Sequence, residues 1–302
     1  MEKIICLRDD DTNYYTTLEE LESGYGEFWG NLPITLATIP FVHGSEKKIL
    51  DFERDGKNKY QSLRKWEKNA GVKELAEYHM LHPIGNNIKL VNGLKQMILL
   101  NKIEIAQHGV SHRYNEAGAE MYSDNIGLRT IRDGKEYLEK VFDSKIKVFI
   151  PPSNTFDTKC GRYINYIGEE IISGAPTAFR HKREKIASLI QHPLEIKERL
   201  KIHLKNQFPV TIHGNGIKTY LGFTFNSWES IDYIMSQAEA RLKKNGCFIV
   251  TTHYRLLGVM DDIQHSYRNK YHSFLKELTR LDNVRFVTAS EYIENEKNRR
   301  II

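Results

Sequence analysis

The chain has 302 residues, of which 40% are hydrophobic and 27% charged, a composition typical of a globular protein with enough chain for a large core. Its 44 basic and 39 acidic residues are spread along the chain and give a net charge of +5. Aromatic residues do not interleave with the two dense basic clusters, at residues 182–185 and 297–300, which disfavours a nucleic-acid footprint. No apolar run approaches the roughly 20 residues of a membrane span.

The cysteines and the N-terminus indicate the expected compartment. Cys6, Cys160 and Cys247 are widely separated and form no Cys-x-x-Cys pair, which disfavours both a disulfide framework and a thiolate zinc site. Residues 1–7 are typical of a strand rather than of a secretion signal. We therefore expect a cytoplasmic protein without a membrane span; the sequence leaves its oligomeric state open.

Short β-rich segments alternate with helical patterns along the chain, which is typical of a mostly parallel sheet with helical crossover connections. The predicted strands cover residues 3–7, 34–39, 103–107, 146–150, 170–173, 210–213, 248–252 and 284–287. A capping box at Thr17 and Glu20 predicts the start of a helix. Apolar residues at helical spacing predict a second helix over 230–244, ending at Gly246.

Two long stretches interrupt this alternation, and they cover about residues 41–100 and 176–226. Both are expected to be insertions in one domain spanning 1–302. Long excursions between strands commonly shape a substrate cleft, so we expect these to border the site.

An acidic run ends the first predicted strand, at the place where an α/β barrel keeps its active site. Asp9, Asp10 and Asp11 follow one another there, and their mutual repulsion is costly unless a cation or an arginine lies among them. A solvated turn is the alternative interpretation of such a run.

Two histidines follow the predicted strand 103–107. His108 and His112 are four residues apart, and on one helical turn they would share a face within reach of one metal ion. Two surface histidines would give the same pattern.

Three further strand ends carry polar groups. After Pro151 and Pro152, the first free backbone donor is the amide of Ser153, although the same residues also fit a rigid turn. His253 ends a strongly apolar strand, where a histidine of the core or the rim is the alternative. His213 ends a short apolar run in the same way, so we expect it at the cleft rim as a substrate contact.

Taken together, the order of acidic pair, His-x-x-x-His, Pro-Pro and strand-end histidine resembles that of the polysaccharide deacetylases. This group is carbohydrate esterase family 4 (CE4), in the glycoside hydrolase–deacetylase barrel superfamily. The C-terminal segment 283–293, with its Ser-Glu-Tyr step, is similar to the closing sequence of that family. The resemblance extends over nearly the whole chain apart from the two insertions, and it is that of a divergent member.

The resemblance implies a deformed (β/α) barrel with about seven parallel strands and a metal-dependent hydrolase that removes an N-acetyl group from an amino sugar or glycan precursor. Asp10 would be the general base, and Asp11 would bind a divalent metal, expected to be Zn²⁺, together with His108 and His112. A slip of one residue would give these roles to Asp9 and Asp10. The expected partner is an acetylated amino sugar or oligosaccharide, and no nucleic acid is expected.

The same resemblance implies the remaining roles. His253 matches the general acid, and the backbone amide of Ser153 matches the oxyanion donor, with Asn154 beside it as a substrate contact.

Two departures from the family pattern leave alternatives open. Ile150 stands where the family usually has an arginine against the catalytic base. Arg8 is a candidate substitute, since residues two apart in a strand share a face, and Arg113 and Arg255 are others. Ser227 also replaces an aspartate before Trp228. A related amide or ester hydrolase with a non-glycan substrate and a catalytically silent glycan-binding barrel therefore remain as alternatives.

Overall fold

A mostly parallel sheet forms the centre of the protein. The computed structural model describes residues 2–54, 59–113, 120–173, 210–212, 217–226, 229–258 and 266–299, and the statements below concern these residues. The strands are β1 (Lys3–Thr12), β2 (Ile34–Thr38), β3 (Phe41–His43), β4 (Leu81–Pro83), β5 (Ile103–Gln107), β6 (Val148–Phe149), β7 (Glu170–Ser173), β8 (Val210–Ile212), β9 (Lys218–Leu221), β10 (Phe223–Thr224), β11 (Cys247–Thr252) and β12 (Val284–Val287).

Helices surround this sheet. They are α1 (Leu18–Tyr25), α2 (Ser45–Arg54), α3 (Lys59–Asn69), α4 (Val72–Tyr78), α5 (Ile88–Leu99), α6 (Leu128–Phe142), α7 (Thr158–Tyr166), α8 (Ile231–Asn245), α9 (Tyr267–Thr279) and α10 (Ala289–Arg299). No helix in the described part of the chain is long and apolar enough to cross a membrane.

The strands follow the order β10-β11-β1-β2-β5-β6-β7-β9-β8, with β12 also pairing with β1. All neighbours in this order are parallel except β8 and β9, which are antiparallel. The eight parallel strands from β10 to β9 curl into a nearly closed barrel. The predicted deformed (β/α) barrel is therefore confirmed.

The alternation of side chains along β1 separates two cores. Ile5 and Leu7 face outwards and pack with the surrounding helices. Ile4 and Cys6 face the inside of the barrel, which α10 closes at one end with Tyr292 and other residues. All three cysteines are buried and free.

Most predicted elements are found, but with different ends. The capping box of α1 is present, and α8 begins after Ser230 and ends at Gly246, which has a φ of 70°. The first strand was predicted to end at residue 7, whereas β1 continues to Thr12, so the acidic run belongs to the strand. Strands β3, β4, β9 and β10 were not predicted, because each has only two to four residues and lies within a stretch interpreted as an insertion.

Candidate metal and catalytic site

A bulge in β1 turns two neighbouring carboxylates towards the inside of the barrel. Asp9 pairs with Leu36 of β2 and Thr12 pairs with Thr38, so β1 has one extra residue between them. Asp11 has a φ of 76°, in the left-handed region that a non-glycine residue rarely adopts. A bulge interrupts the alternation of a strand and changes the direction of its side chains. Asp10 and Asp11 consequently reach the same site.

Asp11 lies between two imidazoles. Its Oδ1 is 3.1 Å from Nε2 of His108 and 3.3 Å from Nε2 of His112. One ligand atom from each of these three buried residues lies within 4.8 Å of the other two, a spacing at which a single ion can contact all of them. The structure therefore brings the three predicted metal-binding residues together.

Each imidazole is oriented through its other ring nitrogen. Nδ1 of His108 lies 2.8 Å from the carbonyl oxygen of Ile150, and Nδ1 of His112 lies 3.1 Å from Oε2 of Glu46. A proton on Nδ1 of each ring donates to these acceptors and leaves the lone pair of Nε2 facing Asp11. Metal-binding histidines are commonly held in this way.

The turn from His108 to His112 is wrapped around a carboxylate rather than being helical. Glu120 accepts hydrogen bonds from the backbone amides of Val110, Ser111 and His112 at 2.6 to 3.2 Å. A Cβ on Gly109 would lie 2.2 Å from Oε2 of Glu120, so this position requires glycine. The helical turn considered for the two histidines is not formed, since Gly109 and His112 have φ values of 62° and 52°, outside the right-handed helical region.

Asp10 pairs with an arginine of its own strand. Nε of Arg8 lies 2.7 Å from Oδ1 of Asp10, and Nη2 lies 2.5 Å from Oδ2. The same Nη2 lies 3.2 Å from Oδ1 of Asn154. Burial opposes the ionisation of Asp10, but Arg8, together with His108 and other neighbours, outweighs it and lowers the pKa of that carboxyl. Arg8 thus lies beside Asp10, as its spacing predicts.

Asp9 faces the opposite side of β1. Its Oδ2 accepts a hydrogen bond from the hydroxyl of Tyr25 in α1, in the layer between the sheet and the helices. Burial raises the pKa of Asp9 well above its usual value, and the charges of Asp10 and Asp11 add to this effect against the opposing Tyr25 hydrogen bond. Asp9 is therefore separated from the imidazoles by the strand.

The other two candidate arginines are Arg255, which belongs to the cluster, and Arg113. Arg255 lies 2.9 Å from Oδ2 of Asp11 through its Nη2, and its Nη1 donates to Oε1 of Glu46. Burial opposes the ionisation of Asp11, but Arg255, His112 and His108 hold the pKa of that carboxyl well below its usual range. Arg113 is exposed.

Glu46 and Glu120 are the site residues that the sequence analysis missed. Glu46 comes from α2, inside the predicted insertion, and Glu120 comes from the segment before α6. Neither belongs to a recognisable motif. The only signal was indirect, because two buried histidines in a site need acceptors for their Nδ1 protons.

His253 directly follows β11 and lies at the edge of the cluster. Its Nε2 is 3.6 Å from Oδ2 of Asp11, and its side chain is 27% exposed, compared with 2–4% for His108 and His112. Burial lowers the pKa of His253 despite the opposing carboxylates of Asp11 and Asp10. His253 is thus the imidazole of the cluster most accessible from outside.

The turn after β6 carries the predicted oxyanion donor. Ser153 and Asn154 have φ values of 54° and 52°, and Ser153 is exposed. Ile150 lies in the barrel core, and its carbonyl contacts His108. His213, predicted as a rim contact, lies outside the described residues.

The cluster carries an excess of negative charge. Three buried carboxylates, Asp10, Asp11 and Glu46, face the guanidinium groups of Arg8 and Arg255. Burial lowers the pKa of His112, but Glu46 and Asp11 outweigh this and raise it to about 9. The site therefore attracts cations, whether a proton or a metal ion that displaces it.

Comparison with solved structures places this barrel among known folds. The 4-alpha-glucanotransferase from Thermococcus litoralis matches at a TM-score of 0.52 and 13% identity, over 97% of this chain and 40% of that one. This chain therefore shares its fold with the matched part of that protein and spans less than half of its length.

Structures described as CE4 proteins also match. The CE4 domain of a multidomain xylanase from the hindgut metagenome of Trinervitermes trinervoides has a TM-score of 0.47 and 13% identity, over 98% of this chain and 92% of that one. A CE4 family pseudoenzyme from Bacillus anthracis has a TM-score of 0.47 and 11% identity, over 96% and 65%. No family model matches the sequence, and neither does any curated protein. The chemistry of the site therefore rests on the residues of this chain.

Proposed function

We propose that this protein is a metal-dependent hydrolase that removes the N-acetyl group of an acetylated amino sugar or glycan precursor. The observation that carries the proposal is the placement of Asp11 Oδ1 within 3.3 Å of Nε2 of both His108 and His112. A buried carboxylate between two imidazoles, each oriented through Nδ1, is suited to holding one divalent cation.

The donor set fits a catalytic metal. One carboxylate and two imidazoles suit Zn²⁺, and three protein ligands leave room for water and substrate, as in catalytic rather than structural sites. A divalent cation bound there would polarise an amide carbonyl and lower the pKa of water. Three buried carboxylates face only two guanidinium groups in the cluster, and this excess of one negative charge favours the binding of such a cation.

Asp10 is the proposed general base. Its carboxylate lies on the same side of β1 as the cluster and accepts the proton of the attacking water. Arg8 fixes the plane of this carboxylate through two hydrogen bonds and keeps it ionised. The alternative register, with Asp9 as base, receives no support from the position of Asp9 beside Tyr25.

Two further groups act on the developing charges. The backbone amide of Ser153 donates a hydrogen bond to the carbonyl oxygen as it gains negative charge. His253, when it is in its imidazolium form, would donate the proton of Nε2 to the nitrogen of the departing amine and become a neutral imidazole, so that the amine need not leave as an anion. Its partial exposure supports this role, since a general acid must reach the substrate.

The reaction class is tested by product analysis. The purified protein, loaded with Zn²⁺, is incubated with oligomers of N-acetylglucosamine, with an aryl acetate and with an N-acetylated peptide, and acetate and free amine are quantified. We expect equal amounts of acetate and amine from the sugar. Faster release from the peptide would favour the related non-glycan hydrolase, and sugar binding without acetate release would favour the silent barrel.

A further inference from the structure

Asn13, in the turn that follows β1, binds the backbone on both sides of itself. Its Nδ2 donates to the carbonyl oxygen of Asp11 at 2.7 Å, and its Oδ1 accepts from the amide of Tyr15 at 2.8 Å. The forward contact is the one that asparagine commonly makes in turns. The backward contact reaches one of the three proposed metal-binding residues. The side chain of Asn13 therefore links the turn to the metal cluster.

The backbone of Asp11 has a conformation that its surroundings must support. Its φ of 76° lies in the left-handed region, which is unfavourable for a residue with a side chain. Such conformations persist where neighbouring contacts hold them, and they are concentrated at functional sites. Asn13 binds the carbonyl group of Asp11, so this contact acts directly on the strained residue.

This conformation decides whether the carboxylate of Asp11 reaches the imidazoles. The side chains of a regular strand alternate, so the neighbours Asp10 and Asp11 would face opposite sides of β1. The bulge turns both towards the inside, where Oδ1 of Asp11 lies 3.1 Å from Nε2 of His108. A return of Asp11 to an ordinary extended conformation would withdraw its carboxylate from the cluster.

Asn13 is itself fixed, as a residue that positions another must be. It is buried, its amide donates to Oγ1 of Thr16 at 2.8 Å, and its carbonyl accepts from the amide of Thr16 at 3.0 Å. Oγ1 of Thr16 also lies 2.7 Å from the hydroxyl oxygen of Tyr254, the residue after His253. The turn is thus joined to the segment that follows β11.

A second asparagine, Asn87, binds the same turn further along the chain. Its Nδ2 donates to the carbonyl oxygens of Tyr14 and Thr16 at 3.0 and 2.9 Å. Its Oδ1 accepts from the amide of Leu90 in the first turn of α5. Asn87 and Asn13 are therefore chemically matched, since each donates its amide group to carbonyls of this turn and accepts one backbone amide.

We propose that Asn13 is a positioning residue for Asp11: by binding its carbonyl oxygen, Asn13 holds the left-handed conformation that brings the Asp11 carboxylate to His108 and His112. This inference rests on the proposed function, which it deepens by naming a residue outside the ligand set that controls metal affinity. Contacts that orient metal ligands typically change metal affinity or activity by about 10- to 100-fold when they are lost.

Crystal structures of metal-free Asn13→Ser and Asn87→Ser test the inference. A serine hydroxyl can still accept the backbone amide that each asparagine binds, but it lacks the amide group that each donates to the turn. In Asn13→Ser, we expect Asp11 to leave the left-handed region and its Oδ1 to lie beyond hydrogen-bond distance of Nε2 of His108. Asn87→Ser should retain both features. An unchanged Asp11 in Asn13→Ser, or the same displacement in both variants, would overturn the inference.

Metal affinity provides a second readout. Competition with a chromophoric chelator should show Zn²⁺ binding about 10- to 100-fold weaker in Asn13→Ser than in the wild type, and unchanged in Asn87→Ser. Urea unfolding should give comparable stabilities for the two variants, so that a general loss of folding does not explain the difference. Equal Zn²⁺ affinities for Asn13→Ser and the wild type would overturn the inference.

The two readouts separate this inference from the proposed function. If the wild type binds Zn²⁺ but releases no acetate, the deacetylase proposal fails, and the affinities and crystal structures still decide the role of Asn13. If the wild type binds no Zn²⁺, the deacetylase proposal also fails, and the conformation of Asp11 in the crystal structures decides. If acetate is released and Asn13→Ser keeps the wild-type Asp11 conformation, the deacetylase stands and the role given to Asn13 is wrong.

Discussion

Arg8 and Asp10 lie side by side on the inner face of β1, where the guanidinium group binds both carboxylate oxygens, at 2.7 Å through Nε and 2.5 Å through Nη2. Residues two apart in a strand share a face, which is why one strand can supply both partners. The family pattern has an arginine at the place of Ile150, a position that lies here in the barrel core. We propose that Arg8 provides from within β1 the charge that the resemblance leads us to expect at the position of Ile150.

Arg8→Met should lower turnover by about 10²-fold or more and leave the metal content unchanged, because Asp10 loses its partner while the three ligands stay in place. Removing one member of a buried ion pair also destabilises the fold, typically by about 3–5 kcal/mol. Kinetics, elemental analysis and denaturant unfolding provide the three readouts. Arg113→Met, at an exposed position, is the control. Full activity of Arg8→Met would show that Asp10 works without Arg8.

Glu46→Gln should weaken metal binding by about 10- to 100-fold, because the charged acceptor for Nδ1 of His112 is lost. Competition with a chromophoric chelator measures the affinity. Asp51→Asn is the matched control, since Asp51 belongs to the same helix but is exposed. An unchanged metal affinity in Glu46→Gln would mean that Glu46 serves Arg255 alone.

Part of this site could be predicted from the sequence because its residues stand at strand ends. Asp11, His108 and His253 each follow a recognisable apolar segment. Parallel strands bring such ends to one rim.

The register of the acidic run could not be predicted. It depends on the bulge, and the bulge is defined by pairing between β1 and Thr38 of β2, a contact that leaves no local signal. The same reason applies to Glu46 and Glu120. Glu46 acts through tertiary contacts with the side chains of His112 and Arg255, and Glu120 through contacts with the backbone amides of residues 110–112. The fold could be predicted more readily from the sequence, because the alternation of strands and helices is a local pattern.

His253→Ala should reduce acetamide hydrolysis by about 10²- to 10⁴-fold and leave the metal content nearly unchanged. His112→Ala should lose both the hydrolytic activity and the bound metal. A general acid acts in the transition state without holding the ion. His253→Ala should reduce the hydrolysis rate of an aryl acetate, whose leaving group needs little protonation, less than that of an acetamide. Equal losses on the two substrates would assign His253 to positioning instead.

Glu169→Gln should stabilise the protein at neutral and alkaline pH but not in acid. Glu169 is buried, and within the described part of the chain neither carboxylate oxygen has a hydrogen-bond partner. Burial raises its pKa well above the usual value, and Glu139 adds to this against the opposing charge of Lys135. The folded state thus holds a proton that the unfolded state releases, so stability falls as the pH rises from the unfolded towards the folded pKa.

Urea unfolding of the wild type and of Glu169→Gln at a series of pH values tests the direction of this pH dependence of stability. The free energies of unfolding of the two proteins should be similar near pH 4 and should diverge as the pH rises. Glu139→Gln, which removes a charge that adds to the shift but keeps an acceptor for the amide of Ile146, should give a smaller gain. A wild type that becomes more stable relative to Glu169→Gln with rising pH would show that Glu169 is ionised and paired.

The central claim, metal-dependent deacetylation at Asp11, His108 and His112, is tested most directly by titrating metal-free protein with Zn²⁺ while acetate release from an N-acetylglucosamine oligomer is recorded. The account predicts that activity rises in proportion to bound metal and saturates at about one ion per chain. Asp11→Asn should bind no metal tightly and remain inactive, whereas Asp9→Asn should behave like the wild type, because Asp9 faces Tyr25. Acetate release that is unchanged in metal-free protein, or an Asp9→Asn variant that loses metal while Asp11→Asn keeps it, would contradict the account.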